Sequence, residues 1–206
     1  VTVTETSLEN DLIRVELDTD GTISSIRDHE TRREYLEGAA NRLLLWEDHP
    51  YSWDAWDVSH YYRETTPEQA RLVERRIELD TELRATIYQR LEVGSSTVEQ
   101  WVGLDAGDPM VTVANRVDWR ETNRLLKVHA ETAMHTHEVT YEIQYGTVQR
   151  PNHENTSWDQ ARFEVAGQRF ADMSQPDAGL ALINDSKYGY SAYDNSLELS
   201  LLRSPT

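Results

Sequence analysis

The dominant pattern along this chain is an alternation of apolar and polar side chains with a period of two. Residues 13–17, Ile-Arg-Val-Glu-Leu, alternate strictly, and Asp-Thr-Asp-Gly at 18–21 then supplies a turn. Because successive side chains of a strand point to opposite faces, this alternation predicts a half-buried strand. Residues 22–27 return as the second arm of a predicted hairpin.

Similar patterns recur along the rest of the chain, whereas helix signals are few. Thr66-Pro67-Glu68 permits one helical turn at most, and residues 29–36 permit another. About eleven strands separated by turns predict an all-β, antiparallel sandwich rather than a parallel sheet. No repeat, linker or low-complexity tract interrupts it, so we expect residues 1–206 to form a single domain. Besides the hairpin, the predicted strands are 42–46, 73–79, 83–93, 98–104, 111–119, 125–132, 138–145, 162–165, 180–184 and 196–202.

Two stretches break the alternation, residues 47–62 and residues 149–159. Both are long, rich in polar and aromatic side chains, and without periodicity. Long loops on a rigid sheet scaffold commonly carry binding and catalytic residues. We therefore expect the functional residues of this chain in these two loops.

The first loop contains two tryptophans, each followed directly by an aspartate: Trp53-Asp54 and Trp56-Asp57. Aromatic rings stack on the C–H faces of sugars, while carboxylates accept hydrogen bonds from sugar hydroxyls. A structural interpretation fits equally well, in which the tryptophans close one end of the core and the aspartates cap turns. The two carboxylates are also near enough in sequence for the ~5–5.5 Å spacing of a retaining glycosidase, although many surface loops hold two aspartates.

The second loop has an unusual density of hydrogen-bonding side chains. A pocket for a polyhydroxylated ligand needs such variety, because each hydroxyl both donates and accepts. Alternatively, Asx turns and helix caps tie the loop to its own backbone. The candidate site residues of this loop are Arg150, His153, Asn155, Trp158 and Asp159.

The charge and the absence of cysteine exclude several classes of protein. With 37 acidic against 20 basic residues and a net charge of -17, the chain lacks the basic face that binding to nucleic acid or to an anionic membrane requires. No apolar run is long enough to span a bilayer. The absence of cysteine excludes disulfides and thiolate sites, and it fits a cytoplasmic protein.

The basic residues are almost all arginines, since only Lys127 and Lys187 are lysines. A strongly acidic, lysine-poor surface suits a salt-rich cytoplasm, where screening relieves self-repulsion. This composition leads to the hypothesis that the source is a halophile, although a genome rich in arginine codons would give the same bias.

No metal site is predicted in this chain. His135 and His137 would point the same way on a strand, but no third ligand can be identified. A glycine-rich phosphate loop, a nucleophile elbow and a His-Glu-x-x-His helix are also missing from the sequence, which excludes the enzyme classes that depend on them.

Several motifs, in their order along the chain, resemble the C-terminal β region of α-mannosidases of glycoside hydrolase family 38. They are Trp53-Asp54-Ala55-Trp56-Asp57, Tyr-Glu-Ile-Gln-Tyr-Gly at 141–146, the whole of 150–159, and Asn-Asp-Ser-Lys-Tyr-Gly at 184–189. The resemblance covers nearly the whole chain, although residues 69–137 match only as generic strands. Asn152 departs from the family pattern, which has threonine, and Gln-Arg-Phe at 168–170 replaces a His-Lys-Trp-like run.

The resemblance implies a galactose-mutarotase-like super-sandwich and retaining hydrolysis of α-mannosides by the full-length enzyme. In this family the nucleophile, the acid/base and the zinc ligands belong to a preceding α/β-barrel, which a helical segment joins to the β region. No residue here matches those motifs, so we expect an excised accessory part that packs on its own catalytic domain and walls one side of the active site. No cofactor is expected in this part, whereas zinc or a similar divalent metal is expected in the catalytic domain.

The resemblance also assigns roles to the nine candidate residues, which would hydrogen-bond and stack rather than transfer protons. Two other functions stay open: a stand-alone carbohydrate-binding module, which needs exposed tryptophans in a groove, and a small sugar epimerase. The epimerase would need His153 with Glu154 or Asp159 as its acid and base. The sequence leaves the oligomeric state open.

Overall fold

The chain folds almost entirely into antiparallel β-structure in a computed structural model, which describes residues 1–205. The only described helices are a 3₁₀ helix at His60–Glu64 and α1 at Ser157–Gln160, and neither has the length and apolar character needed to cross a bilayer. The strands are β1 (Thr2–Thr4), β2 (Ser7–Glu9), β3 (Ile13–Leu17), β4 (Ile23–Asp28), β5 (Arg42–Glu47), β6 (Glu68–Gln69), β7 (Arg71–Asp80), β8 (Arg84–Val93), β9 (Ser96–Asp105), β10 (Thr112–Asp118), β11 (Arg124–Glu131), β12 (Glu138–Ile143), β13 (Gly146–Pro151), β14 (Val165–Ala166), β15 (Phe170–Gln175), β16 (Ala178–Ile183), β17 (Gly189–Tyr193) and β18 (Ser196–Ser204).

The described residues form two compact units. Unit 1 comprises residues 1–42 and 68–121, and unit 2 comprises residues 43–67 and the chain from Thr122 onward. The expectation that residues 1–206 make up a single domain remains a prediction.

Unit 1 contains two antiparallel sheets, one with the order β1-β2-β3-β4 and one with the order β10-β9-β8-β7. The predicted hairpin is confirmed, because β3 pairs with β4 and places Val15 opposite Ile26. Alternate side chains of β3 are buried, as their period of two requires. The core of this unit includes Leu8, Val15, Ile87, Val102 and Leu104.

Unit 1 also buries a network of neutral amides. Gln100 accepts from Gln89 Nε2 at 2.8 Å and from Asn41 Nδ2 at 3.0 Å, and it donates to Asn115 Oδ1 at 2.8 Å. Gln89 also donates to the carbonyl of Gly21 at 2.8 Å. Each buried amide is therefore hydrogen-bonded, as burial of polar groups requires.

Unit 2 also contains two antiparallel sheets. One has β14, β17, β18, β11 and β5 in that order, and the other has the order β13-β12-β15-β16. In the first sheet the register of β11 against β18 shifts between Leu126 and Lys127. The extra residue at this shift is Leu201 of β18. Three consecutive residues of β11 are buried, Leu125, Leu126 and Lys127, so both faces of this inner strand are covered.

The predicted all-β, antiparallel class is confirmed, and most predicted strands are found with small shifts of their ends. The predicted strand at 162–165 is wrong except for its last residue, because residues 161–164 continue from α1 in a turn that Arg162 closes by donating to the carbonyl of Asp159. The strands that the sequence did not predict are Thr2–Thr4, Ser7–Glu9, Glu68–Gln69, Gly146–Pro151, Phe170–Gln175 and Gly189–Tyr193.

Both weak helix signals are wrong. At residues 29–36 the chain turns back and pairs through an isolated bridge between Arg27 and Glu34, and the Glu34 carboxylate accepts from the amide of Ile26 at 2.9 Å. At Thr66-Pro67-Glu68 the backbone is extended and leads into β6. In each case, pairing of the extended backbone replaces the helical hydrogen bonds.

Candidate functional site

A fully buried lysine lies at the centre of a polar cluster in unit 2. Lys127 Nζ donates to Ser191 Oγ at 2.8 Å and to the Tyr62 hydroxyl at 3.0 Å, and it forms ion pairs with Glu198 Oε2 at 2.6 Å and with Glu164. The side chain of Lys127 has no exposed area. Lys127 lies on β11, between β18 and β5, where both faces of the strand are buried, so its side chain meets groups of neighbouring elements instead of solvent.

Neighbouring strands place the other groups of this cluster opposite one another. His129 and Glu198 are cross-strand partners, and His129 Nδ1 lies 2.9 Å from Glu198 Oε1. Ser191 and Glu198 are likewise partners, with Ser191 Oγ 2.8 Å from Glu198 Oε2. The Tyr62 hydroxyl donates to Glu164 Oε1 at 2.6 Å. We call these six residues, Tyr62, Lys127, His129, Glu164, Ser191 and Glu198, the lysine cluster.

Opposite charges dominate the ionisation of this cluster. Burial alone would lower the pKa of Lys127, but the carboxylates of Glu164 and Glu198 outweigh burial and raise it. Burial would raise the pKa of Glu198, but Lys127 outweighs it and the pKa falls below its ordinary value. Burial raises the pKa of Tyr62, and Glu164 raises it further. For both Lys127 and Glu198, opposite charge therefore outweighs burial.

A groove of about 780 Å³ lies beside the lysine cluster in unit 2. Its lining includes Tyr51, Asp57 and His60 of the first loop, together with Phe163, Glu164 and Tyr188. Glu164 is thus shared, because Oε1 faces Lys127 and Tyr62 while the residue also forms part of the groove wall. Within residues 1–205, Oε2 of Glu164 makes no hydrogen bond.

Two of the predicted first-loop residues are tryptophans that lie on the surface. Trp53 is 74% exposed and Trp56 is 88% exposed, so the interpretation that they close the end of the core is wrong. Trp53 has a φ of 62°, and its carbonyl accepts from the amides of Trp56 and Asp57. The tight turn therefore directs both rings away from the core.

The two aspartates of this loop have different surroundings. Asp54 accepts from the amide of Ala55 at 3.0 Å, as the turn-capping interpretation predicts. Asp57 lines the groove, and its carbonyl accepts from Arg203, whose guanidinium also pairs with the buried Asp48. Of the nine predicted site residues, Asp57 is the one that contributes to the groove wall.

The second loop is tied largely to its own backbone. Thr156 and Asp159 form a capping box at the start of α1, with Thr156 Oγ1 donating to Asp159 Oδ2 at 2.7 Å. This hydrogen bond is the main reason that the pKa of Asp159 lies below its ordinary value. Asn152 is buried and donates to the carbonyls of Thr136 at 2.9 Å and Asp194 at 2.5 Å. For these residues the structural interpretation of the loop holds.

The remaining predicted residues of the second loop do not converge on one point. Arg150 lies over the ring of Tyr141 at 4.9 Å, and His153 lines a smaller cavity of about 410 Å³. Trp158 is 78% exposed. The amide of Asn155 lies 3.5 Å from His153 Nδ1, at the limit of a hydrogen bond.

The acid and base pair of the epimerase hypothesis is not supported by this geometry. His153 Nδ1 lies 3.6 Å from Asp159 Oδ2, and Asp159 is already engaged in the capping box. Glu154 pairs with Arg63 of the 3₁₀ helix. Arg63 directly follows the first predicted loop, so this pairing ties the end of that loop to the second one without forming the predicted set of site residues.

The sequence did not single out the lysine cluster. One available signal was Lys127 itself, since it is one of two lysines and follows Leu125 and Leu126 in a predicted strand. Another was the two-residue spacing from Lys127 to His129, which places both on one face. Among residues 1–205, no group of three or more histidine, aspartate or glutamate residues is arranged to hold a metal ion.

Comparison with known proteins identifies the family of the chain. A family model described as "Glycosyl hydrolases family 38 C-terminal domain" matches residues 8–206. The chain belongs to this family. It is 42% identical over 203 residues to α-mannosidase 2C1 of Mus musculus, which covers 97% of this chain and 20% of the relative. It is 35% identical over 206 residues to α-mannosidase G of Dictyostelium discoideum, covering 96% of this chain and 19% of the relative.

This family 38 domain also has a counterpart among solved structures. A crystal structure of an α-mannosidase from Enterococcus faecalis matches with a TM-score of 0.83 and 14% identity, covering 100% of this chain and 26% of that chain. At that identity the likeness shows the fold alone. The chain spans about a fifth of the length of the curated relatives it matches.

Proposed function

We propose that this family 38 domain is the accessory β region of a retaining α-mannosidase and acts together with a catalytic domain. The observation that carries the proposal is the match of the family model to residues 8–206, together with relatives that are named α-mannosidases. Within the enzyme, the domain would adopt a galactose-mutarotase-like super-sandwich and complete one wall of the active site. The metal, zinc or a similar divalent ion, would be held by the catalytic domain.

The exposed aromatic residues of unit 2 support a role as a contact surface. Trp53, Trp56 and Trp158 are largely exposed, although burial of a tryptophan side chain is normally favourable. In our proposal these rings, with Asp54 and Asp57, face the catalytic domain or the mannoside. Arg150, His153, Asn155 and Asp159 then shape the neighbouring second loop. A cytoplasmic location is proposed on the absence of cysteine.

The test uses the full-length enzyme that contains this chain. It should hydrolyse an aryl α-mannoside with retention of configuration, and a chelator should abolish the activity. Trp53→Ala combined with Trp56→Ala should lower kcat/KM by about tenfold or more if the rings support the active site. Tyr145→Ala is the control, since Tyr145 is fully exposed at a hairpin turn. An enzyme without α-mannosidase activity would contradict the proposal.

A stand-alone carbohydrate-binding module is the second candidate. The exposure of the three tryptophans favours it, although none of them lines the groove of unit 2. Such a module should bind mannose or mannobiose without a catalytic domain. Calorimetric titration of the 206-residue chain measures this directly, and millimolar or tighter binding that the Trp53→Ala and Trp56→Ala changes remove would support it.

A further inference from the structure

Glu164 of unit 2 is a carboxylate with only one of its two oxygens hydrogen-bonded to the described residues. Its Oε1 accepts from Tyr62 at 2.6 Å and from Lys127, so the carboxylate is fixed in position. Its Oε2 has no hydrogen bond to the part of the chain that the structure describes, and the residue lines the groove. The second oxygen of this fixed carboxylate can therefore accept a hydrogen bond from a bound ligand.

The surroundings of Glu164 also leave a place for a further donor. Glu198 faces Lys127, His129 and Ser191, whereas within the described residues Glu164 accepts hydrogen bonds at Oε1 alone. A partly buried carboxylate oxygen is unfavourable unless a hydrogen bond compensates its burial. A ligand hydroxyl that donates to Glu164 Oε2 would supply that compensation, because an ionised carboxylate accepts hydrogen bonds from hydroxyl groups.

The rest of the groove favours a neutral, polyhydroxylated ligand over an anion. Its one guanidinium, Arg203, is already engaged with Asp48 and the carbonyl of Asp57. Tyr51 and Tyr188 are exposed, and the rings of His60 and Phe163 lie 5.9 Å apart at the wall. Aromatic surface beside a fixed polar acceptor is the combination by which sugar sites gain affinity and orientation.

We propose that this groove is a carbohydrate subsite in which Glu164 Oε2 accepts from sugar hydroxyls and Tyr188 contacts a sugar face. The ligand class is an α-linked mannose oligomer, of which one residue beyond the cleaved bond lies in the groove. This proposal rests on the proposed function, because it takes the ligand class from the α-mannosidase assignment. It adds a site outside the nine residues that the sequence indicated, with Asp57 as the single overlap.

The experiment compares two substrates in the full-length enzyme, an aryl α-mannoside with one sugar and α-linked mannopentaose. Tyr188→Ala should raise the KM for mannopentaose, relative to that for the aryl mannoside, by about 2- to 10-fold, as expected for loss of one aromatic contact. Glu164→Gln keeps the shape of the side chain and removes its negative charge, and it should also change the ratio of the KM for mannopentaose to the KM for the aryl mannoside. Tyr145→Ala is the matched control, since it removes an exposed tyrosine that does not line the groove.

The outcomes separate this proposal from the proposed function. An equal loss on both substrates would mean that another part of the enzyme covers the groove, and it would overturn the subsite. An unchanged KM ratio in Tyr188→Ala would overturn it as well, whether or not Glu164→Gln folds. If the unmodified enzyme hydrolyses neither substrate, the proposed function fails. The subsite is then tested by calorimetric titration of the full-length enzyme with mannopentaose. Weaker binding by Tyr188→Ala than by the unmodified enzyme supports the subsite, and equal binding overturns it.

Discussion

Units 1 and 2 both bury polar side chains, but they use different chemistry. In unit 1, Gln89 and Gln100 are fully buried and are satisfied by neighbouring amides, the carbonyl of Gly21 and the Arg75 guanidinium, which donates to Gln89 Oε1 at 3.3 Å. In unit 2, Lys127 is equally buried but is held by carboxylates. Neutral amides need only donors and acceptors, whereas charges also need compensation. The comparison teaches that the fully buried cation and its carboxylate partners belong to unit 2, whereas the ion pairs of unit 1 lie nearer the surface.

The largest expected effect comes from removing the buried cation. Lys127→Met leaves Glu164 and Glu198 without their partner and should destabilise unit 2 by about 3–5 kcal/mol, the usual cost of breaking a buried ion pair. Hydrogen exchange should increase in peptides that cover β11 and β18. Lys187→Met is the control, because it replaces the other lysine, and it should leave that exchange nearly unchanged. Protection of β11 that survives Lys127→Met would contradict the comparison.

A smaller effect is expected from the neutral network of unit 1. Gln100→Leu removes the hydrogen bonds of the Asn41 side chain to Gln100 and one of those made by Gln89, and leaving such a buried amide unsatisfied typically costs about 1–3 kcal/mol. Denaturant unfolding, with hydrogen exchange of β8 and β9, measures it. Gln144→Leu, at an exposed position, should have little effect. A loss larger than that of Lys127→Met would reverse the proposed order of the two units.

Acid should affect unit 2 through Glu198. Because the pKa of Glu198 is lowered in the folded protein, the unfolded chain binds more protons as pH falls below the ordinary value of 4.5. Stability from this group is therefore present above pH 4.5 and is lost as pH falls further, by up to about 1.4 kcal/mol per pH unit. The amides of unit 1 do not titrate. Exchange measured between pH 4.5 and 3.5, corrected for intrinsic rates, should rise more in β18 than in β9; equal changes would count against this account.

The smallest effect on stability is expected at the exposed tryptophans. Trp53→Ala or Trp56→Ala should change the unfolding free energy of the chain by no more than about 0.5 kcal/mol, as is usual for surface positions. Their effect should fall on activity or ligand binding instead. A stability loss above about 2 kcal/mol would point to burial of these rings, and thermal melts of the chain would detect it.

The β class was predictable because period-two alternation is a local property of the sequence. The strand Phe170–Gln175 was not predicted because its buried positions are Ala171 and Met173, whose hydrophobicity contrasts little with that of the neighbouring polar residues. The 3₁₀ helix and α1 were not predicted because each is only about one turn long. Such short helices are set by local hydrogen bonds, as in the capping box of Thr156 and Asp159.

The candidate site was less predictable because its members are far apart in the sequence. Tyr62, Lys127, Glu164 and Glu198 meet only after the 3₁₀ helix, β11, the turn that follows α1, and β18 have been placed. The composition of the two loops indicated their candidate residues but not whether those residues are exposed. Whether Trp53 faces the core depends on a backbone turn in which Trp53 has a φ of 62°. Sequence patterns therefore located the loops, and tertiary structure was needed to locate the cluster.

The burial of Lys127 has a practical consequence for chemical labelling. A protonated ammonium that no solvent reaches is a poor nucleophile, so amine-reactive probes should modify Lys187 and the N-terminal amine first. With only two lysines in the chain, a fluorophore or cross-linker can thus be attached at one lysine without mutation. Slow modification of Lys127 would then report each opening of the sheet around β11.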